Sequence, residues 1–256
     1  RLGHPKWRKA LKDAGVDQET ADDVVKRISN EYVPWQENSF PGLLGNVAAG
    51  RIANRFDLGG TNCVIDAACA SSSGAIAMAV QELQLGHTDV AITGGVDCLN
   101  DIFMYMCFSK TPALSPSGDC RPFSDQADGT MLGEGIGMVA LRRLEDAERD
   151  DDRIYAVIRG VGSSSDGKGK SIYAPVSKGQ SLAIERAYER AGYTVDDVEL
   201  IEGHGTATKA GDVAEFGGLK KAFSSATRTD KQWCALGSVK SQIGHTKAAA
   251  GSASLF

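Results

Sequence analysis

The sequence predicts an α/β fold in which a mostly parallel sheet carries helices on its faces. Short apolar runs typical of buried strands alternate with longer segments whose apolar residues recur at helical spacing. This rhythm stops at the charged segment 144–152 and then starts again, which indicates two similar halves. Because strands that alternate with helices generally run parallel, we expect the residues that follow the strands to converge at one edge of a sheet.

The first part of the chain contains mainly helical patterns. Residues 6–32 are polar and charged with apolar residues at helical spacing, which predicts one or two surface helices. A connector rich in proline and glycine follows at 32–45, and a helix with small residues is predicted over 46–56. Residues 62–66 then indicate a short buried strand, and 75–85 an amphipathic helix.

The remaining elements give the predicted division into halves. Residues 102–132 show little periodicity and predict a long excursion, and loops of that length are usually functional. We predict two regions, 1–150 and 151–256, with the boundary in the charged helix and turn at 144–152. Further strands are predicted at 89–97, 135–144, 154–162, 198–202 and 233–239, and further helices at 179–191, at 212–222 and from 246 onward.

Composition excludes several classes of protein. The net charge of −5 gives no electrostatic footprint for nucleic acid, and no apolar run is long enough to span a bilayer. The six cysteines contain no Cys-x-x-Cys pair, so we expect no metal site and reduced thiols in a cytoplasmic protein. The first residue is not Met and the last residues read as a helix, so we expect a fragment that is incomplete at both ends.

Cys69 is the first candidate for chemistry. It lies in Asp66-Ala-Ala-Cys-Ala-Ser-Ser-Ser-Gly74, between the predicted strand at 62–66 and the helix at 75–85. A thiol at a helix N-terminus faces unpaired N–H groups, which stabilise the thiolate. A small buried structural cysteine explains this segment equally well, so both interpretations stay open at this point.

Two histidines have a comparable setting. His204 and His245 each follow a predicted strand in a glycine-rich turn, whereas His4 and His87 lack that context and are interpreted as surface residues. A single histidine is more often structural than catalytic. Together with a thiol and the nearby Lys240, two such histidines fit acyl transfer, because neutral imidazoles donate hydrogen bonds to an oxyanion or move a proton.

These residues, taken in order, closely resemble the β-ketoacyl synthase (ketosynthase) domains of fatty acid and polyketide synthases. The similarity runs through nearly the whole chain. Its motifs are the cysteine segment 66–74, Ala113-Leu-Ser115, Arg121–Gly129 with Gly133-Glu-Gly135, His204–Thr208 with Gly211-Asp212, and Lys240 with Gly244-His245. The resemblance implies a thiolase-like fold, with two similar βαβ-rich halves in a layered α-β-α-β-α arrangement.

The resemblance also implies roles for individual residues. Cys69 receives the acyl chain as a thioester, and His204 and His245 support decarboxylation of a malonyl thioester and stabilise the enolate and oxyanion. The family's oxyanion hole uses the backbone N–H of the cysteine and a second donor from a phenylalanine-glycine loop, which we expect to lie outside this sequence. The other implied residues are Lys240, which organises the histidine side, the carboxylates Asp212 and Glu215 behind the site, and Thr206 and Thr208, which meet the pantetheine arm.

The resemblance implies partners as well. The enzyme binds no cofactor directly, since phosphopantetheine arrives on acyl carrier protein, and we expect a homodimer flanked by other domains of a synthase. Segments 35–46, 103–112 and 163–168 are most similar to polyunsaturated fatty acid synthases of bacteria. Alternatives are iterative synthases of the enediyne or heterocyst glycolipid type, or a non-catalytic partner similar to a chain-length factor. A thiolase is disfavoured because no second cysteine has a fitting context.

Overall fold

A computed structural model describes residues 3–168 and 174–256. The chain forms two compact units, residues 1–64 and residues 65–256. No helix in either described range is both long enough and apolar enough to cross a membrane.

The first unit is helical. Helices α1 (His4–Asp13) and α2 (Gln18–Asn30) form a hairpin, and α3 spans Asn46–Phe56. Asp17 begins α2 by accepting the backbone N–H of Thr20 at 3.0 Å, and Ala21 and Val25 are the buried apolar residues of this helix. These elements confirm the helices predicted in 6–32 and 46–56.

Among the residues that the structure describes, the second unit contains two small sheets, and they correct the prediction of a mostly parallel sheet. Strands β1 (Val90–Asp97) and β2 (Gly135–Arg142) pair antiparallel, in register from Val90 opposite Arg142 to Asp97 opposite Gly135. Strands β3 (Leu200–Glu202) and β4 (Ala235–Gly237) pair parallel. The alternation of strands and helices does not reveal orientation where a long connection precedes the next strand, as 98–134 does before β2.

Helices cover the β1–β2 sheet. Helix α4 (Ser71–Gln84) and the short α10 (Ala250–Leu255) contact β1 and β2. The remaining helices are α5 (Ile102–Lys110), α6 (Leu144–Arg149), α7 (Ser177–Ala191), α8 (Lys209–Ala222) and α9 (Lys240–Ile243). Helix α6 occupies the predicted charged segment, while its role as the boundary between halves stays a prediction.

Two predicted strands, 62–66 and 154–162, form no β-ladder within the described residues. Segment 154–163 runs beside α7 instead, where Arg190 donates to the carbonyl of Val161 at 2.6 Å. A Cβ atom at Gly162 would lie 2.0 Å from the carbonyl oxygen of Ala183 in α7, so glycine is needed for this approach. The apolar pattern identifies extended chain, whereas a strand also requires a hydrogen-bonded partner.

The predicted excursion at 102–132 is partly helical. Asp101 accepts the backbone N–H of Met104 at 2.8 Å and begins α5. The apolar residues of α5 are spread around the helix, which explains why no helical periodicity is visible in its sequence. Residues 111–134 contain an isolated bridge between Leu114 and Thr130.

Candidate active site

Cys69 lies in a tight turn ahead of α4. A single 3-10 turn, Ala68–Ala70, carries the cysteine, and Ala68 adopts a left-handed conformation with φ of 50°. The Ser71 hydroxyl fixes the turn, since it accepts the N–H of Ala67 at 2.9 Å and donates to the carbonyl of Ala68 at 2.7 Å. Cys69 therefore precedes the first residue of α4 by two positions.

Close packing brings the C-terminal segment to this turn. The backbone N–H of Ser252 donates to the Ser72 hydroxyl at 3.0 Å, across 180 residues of sequence. A Cβ atom at Gly251 would lie 2.1 Å from the Ser73 hydroxyl oxygen, and one at Gly95 would lie 2.6 Å from the Cβ of Ser72. Glycine at both positions lets β1 and α10 reach the cysteine turn.

His245 is held by the backbone on both sides and points to the thiol. Its N–H donates to the carbonyl of Met131 at 2.7 Å, and its carbonyl accepts the N–H of Gly133 at 3.0 Å. The ring Nδ1 accepts the backbone N–H of Lys247 at 3.0 Å, and the ring Nε2 lies 3.1 Å from Cys69 Sγ. Because Nδ1 accepts, the proton of the neutral ring lies on Nε2, which faces the thiol as a donor.

His204 approaches His245 edge to face. The two ring centroids are 5.3 Å apart with an interplanar angle of 88°. Glu215 of α8 fixes the backbone of this turn, because its carboxylate accepts the N–H groups of His204 at 2.6 Å and of Gly205 at 2.8 Å. Burial raises the pKa of Glu215, and the two N–H groups oppose this effect.

Asp212 joins the His204 turn to a second loop. Its carboxylate accepts the N–H of Phe123 at 2.6 Å and of the fully buried Ala207 at 3.0 Å. The hydroxyls of Thr206 and Thr208 lie 2.9 Å apart, and Thr208 caps α8 by accepting the N–H of Gly211 at 3.2 Å. The two threonines are thus next to the histidine turn, and one hydroxyl already serves the helix.

Lys240 begins α9 and is almost fully buried, with 2% of its surface exposed. Its ammonium has no hydrogen-bond partner among the described residues. Burial lowers the pKa of Lys240, while the carboxylates of Glu202 and Glu215 oppose the shift. The same positive charge acts on Cys69, His204 and His245.

The electrostatics favour neutral groups at the centre of the site. Desolvation, assisted by nearby cations, lowers the pKa of His204 to about 4 and that of His245 to about 3, although one side of His204 is open to solvent. Burial raises the pKa of the Cys69 thiol, and the Lys240 charge and the cysteine's own N–H only partly compensate. The expectation of a thiolate stabilised at a helix N-terminus is therefore wrong: Cys69 lies ahead of the helix, and burial is the larger effect.

The residue types of the site resemble those of a metal centre, but the tautomer of His245 does not suit metal binding. One donor atom each from Cys69, His204 and His245 lies within 4.8 Å of the others, which is compatible with zinc. A histidine ligand must present an unprotonated nitrogen to the metal. The Lys247 N–H occupies Nδ1 of His245 and leaves the proton on Nε2, so these residues do not fit a resident metal ion.

The structure also brings in residues that the sequence analysis did not single out. Lys247 is 6% exposed, and its ammonium donates to Asn100 Oδ1 at 2.6 Å and to the Gly133 carbonyl at 2.8 Å and forms an ion pair with Asp97 Oδ1 at 3.1 Å. Glu202 accepts the N–H of Val239, next to Lys240, at 2.7 Å. No local pattern announces these contacts, because each joins segments distant in sequence.

Comparison with known proteins shows relatives that are synthases. The chain is 45% identical over 257 residues to one subunit of the polyunsaturated fatty acid synthase of Thraustochytrium sp., a match that covers 100% of this chain and 9% of that protein. It is 40% identical over 252 residues to polyketide synthase PksL of Bacillus subtilis, covering 95% of this chain and 6% of that protein. The chain thus spans less than a tenth of the length of these relatives.

The fold is similar to that of solved ketosynthase domains. The ketosynthase from module 6 of the bacillaene synthase of Bacillus subtilis matches with a TM-score of 0.80 and 40% identity, over 87% of this chain and 40% of that chain. The expected thiolase-like fold is thereby confirmed. Residues 1–147 match the model of the β-ketoacyl synthase N-terminal domain, and residues 155–256 match that of the C-terminal domain. The chain belongs to the β-ketoacyl synthase family.

Proposed function

We propose that this chain carries the condensing site of a β-ketoacyl synthase that accepts an acyl chain on Cys69 and elongates it with a malonyl unit. The single observation that carries the proposal is the contact between Cys69 Sγ and His245 Nε2 at 3.1 Å, with the ring of His204 beside it. A thiol beside two neutral imidazoles, inside a family of condensing enzymes, is suited to transfer between thioesters.

In the first half-reaction, Cys69 sulfur attacks the carbonyl carbon of an acyl thioester. The thiol proton leaves with the pantetheine sulfur, and the acyl group stays on the enzyme as a new thioester. His245 assists by donating a hydrogen bond from Nε2 to the sulfur, because this bond stabilises the negative charge that develops as a thiol with a raised pKa loses its proton. The Cys69 N–H is the donor that we assign to the carbonyl oxygen as negative charge develops there.

In the second half-reaction, a malonyl thioester loses carbon dioxide. The electrons of the broken bond form an enolate whose oxygen is stabilised by the N–H donors of His204 and His245. The enolate carbon attacks the acyl carbonyl carbon, and the Cys69 sulfur leaves as a thiolate that takes up one proton from the solvent. Each neutral imidazole donates a hydrogen bond to the enolate oxygen, and the hydrogen bond becomes stronger as negative charge develops there in the transition state.

The surrounding residues position these groups. Glu215 and Asp212 hold the His204 turn through backbone N–H groups, and burial, assisted by the charge of Lys240, keeps both imidazoles neutral. We assign to Thr206 and Thr208 the contact with the pantetheine arm, supported by their place beside His204. The synthase relatives support acyl carrier protein as the partner that delivers both thioesters, so phosphopantetheine arrives with that protein.

The similarity to a polyunsaturated fatty acid synthase supports that subtype for this chain. We also propose that the enzyme is a homodimer, with the segment 102–116 close to the dimer contact and the acyl pocket. Exposed apolar side chains of α5, including Ile102 at 87% and Phe103 at 62%, support this placement. Analytical ultracentrifugation of the protein that carries this chain tests it, and a monomer would contradict it.

The experiment for the condensing function is an intact-mass measurement after incubation with an acyl thioester. We expect one acyl adduct on the wild type, none on Cys69→Ala, and an undiminished adduct on Cys98→Ala, which removes an exposed cysteine as a control. An adduct that persists in Cys69→Ala, or none on the folded wild type with several chain lengths, would contradict the proposal and favour a non-catalytic partner.

A further inference from the structure

We propose that Lys247 is a positioning residue that holds His245 in the orientation and tautomer that condensation needs. This inference rests on the proposed function of the site. Lys247 is two residues after His245, and its backbone N–H bonds the ring Nδ1 of that histidine at 3.0 Å. Its ammonium contacts Asn100, Gly133 and Asp97, so its effect on the reaction passes through His245.

The backbone at Lys247 adopts a conformation that it would not hold unaided. Its φ is 51°, in the left-handed region that side chains with a Cβ rarely occupy. Such a conformation persists only where the surrounding structure enforces it. It is this conformation that directs the N–H of Lys247 back to the imidazole, so whatever enforces it also orients His245.

The side chain supplies that enforcement. The Lys247 ammonium donates hydrogen bonds to Asn100 Oδ1 at 2.6 Å and to the Gly133 carbonyl at 2.8 Å, and it forms an ion pair with Asp97 Oδ1 at 3.1 Å. The pair is well shielded, with 7% of the Lys247 side chain and 16% of the Asp97 side chain exposed. A charge-assisted contact in such surroundings is stronger than one on the surface.

The acceptors are themselves fixed to the sheet. Asp97 is the last residue of β1, and its carboxylate also accepts the N–H groups of Leu99 at 3.1 Å and Ala248 at 3.4 Å. The Gly133 N–H bonds the carbonyl of His245 at 3.0 Å. Lys247 therefore fastens the histidine segment to the end of β1 and to the loop before β2, and the imidazole is held from both sides.

The test measures condensation by the protein that carries this chain, with rates expressed per Cys69 thiol that an acyl donor can titrate. Lys247→Met keeps the length of the side chain and removes its ammonium. We expect kcat to fall about 10- to 100-fold, the effect of misplacing a reacting group by about 1 Å, with KM for the malonyl carrier protein nearly unchanged. Lys247→Arg restores the charge and should recover most of kcat.

A matched control and a second variant keep the test decisive. Lys221→Met makes the same substitution on an exposed lysine of α8 and should leave kcat unchanged. Asp97→Asn should lower kcat in the same direction, and its effect should not add to that of Lys247→Met, because both remove one contact. If Lys247→Met yields no titratable thiol, Asp97→Asn alone provides the measurement.

Two results would overturn the inference while the wild type remains active: an unchanged kcat per titrated thiol in Lys247→Met and Asp97→Asn, or Lys247→Arg no faster than Lys247→Met. A merely structural role would reduce the number of titratable thiols and leave kcat per thiol at the wild-type value. A wild type that forms no condensation product would instead refute the proposed function.

Discussion

Gly133 lies where the loop before β2 passes the histidine segment, and its replacement by alanine tests how His245 is placed. A Cβ atom at this position would lie 2.2 Å from the carbonyl oxygen of Ile243, whereas ordinary van der Waals contacts of a Cβ atom begin at 3.4 Å. The loop or the Ile243 carbonyl must therefore move by about 1 Å, since neither atom belongs to a flexible side chain. Because the Gly133 N–H donates to the His245 carbonyl at 3.0 Å, we expect this movement to disturb that hydrogen bond.

The expected effect on Gly133→Ala follows from that displacement. A reacting group misplaced by about 1 Å loses on the order of 100-fold in rate, and overpacking a tight contact costs about 1–3 kcal/mol of the free energy of unfolding. The assay is malonyl decarboxylation under single-turnover conditions, with the rate divided by the concentration of titratable Cys69 and stability measured by chemical denaturation in parallel.

The control for this variant is Gly237→Ala in β4. A Cβ atom there meets no heavy atom within 4 Å, so we expect a rate and a stability close to those of the wild type. A Gly133→Ala enzyme that decarboxylates at the wild-type rate per titrated thiol would refute the conclusion that the 131–133 loop positions His245.

Three further predictions follow from the electrostatics of the site. Lys240→Met should slow alkylation of Cys69 by iodoacetamide at pH 8, because loss of the ammonium raises the thiol pKa further, whereas Lys221→Met should not; an equal or faster rate in Lys240→Met would contradict this account. The free energy of unfolding should decrease as the pH falls from 6.5 toward 4, because the unfolded chain binds protons that His204 and His245, with pKa values of about 4 and about 3, do not bind. The difference in free energy of unfolding between the wild type and His245→Asn should therefore be constant above about pH 6.5 and decrease as the pH falls toward 4, and a difference that stays constant over this range would count against a neutral buried His245. Dialysis against a chelator should leave the acylation rate unchanged, since the His245 tautomer does not suit a resident metal, and a loss that zinc restores would show that this conclusion is wrong.

Much of the fold was predictable because local sequence determines its parts. The helices over 46–56, 177–191 and 209–222 carry apolar spacing or capping residues that need no knowledge of distant contacts. The antiparallel pairing of β1 with β2 was not predictable in this way, because orientation depends on a connection of 37 residues between Asp97 and Gly135. The segments 62–66 and 154–162 show the same limit, since extended chain becomes a strand only beside a partner.

Some residues of the candidate site were likewise predictable from local sequence, whereas others depend on distant contacts. Cys69, His204 and His245 stand in glycine-rich turns that mark them in the sequence, and the structure brings all three together. Lys247 carries no such mark, because Thr246-Lys-Ala-Ala reads as the start of a helix. Its partners Gly133 and Asn100 are 114 and 147 positions away, and its left-handed backbone becomes visible only with them in place.

The thiol pKa was missed for a related reason. The position of Cys69 near a helix start suggested a stabilised thiolate, but the extent of burial is a property of the assembled site. Because the thiol is neutral, its reaction depends on His245, whose Nε2 lies within hydrogen-bond distance of the sulfur. Proximity to a hydrogen-bond donor, more than a low pKa, is what makes this cysteine suited to acyl transfer.

A single-turnover chase tests the central claim most directly. The protein that carries this chain is first acylated on Cys69, freed of the donor, and mixed with malonyl acyl carrier protein while intact masses of both proteins are followed. We expect the adduct on Cys69 to disappear as the malonyl carrier protein gains the acyl group and loses carbon dioxide. An adduct that stays on Cys69, or that is released as free acid with no elongated carrier protein, would contradict the account.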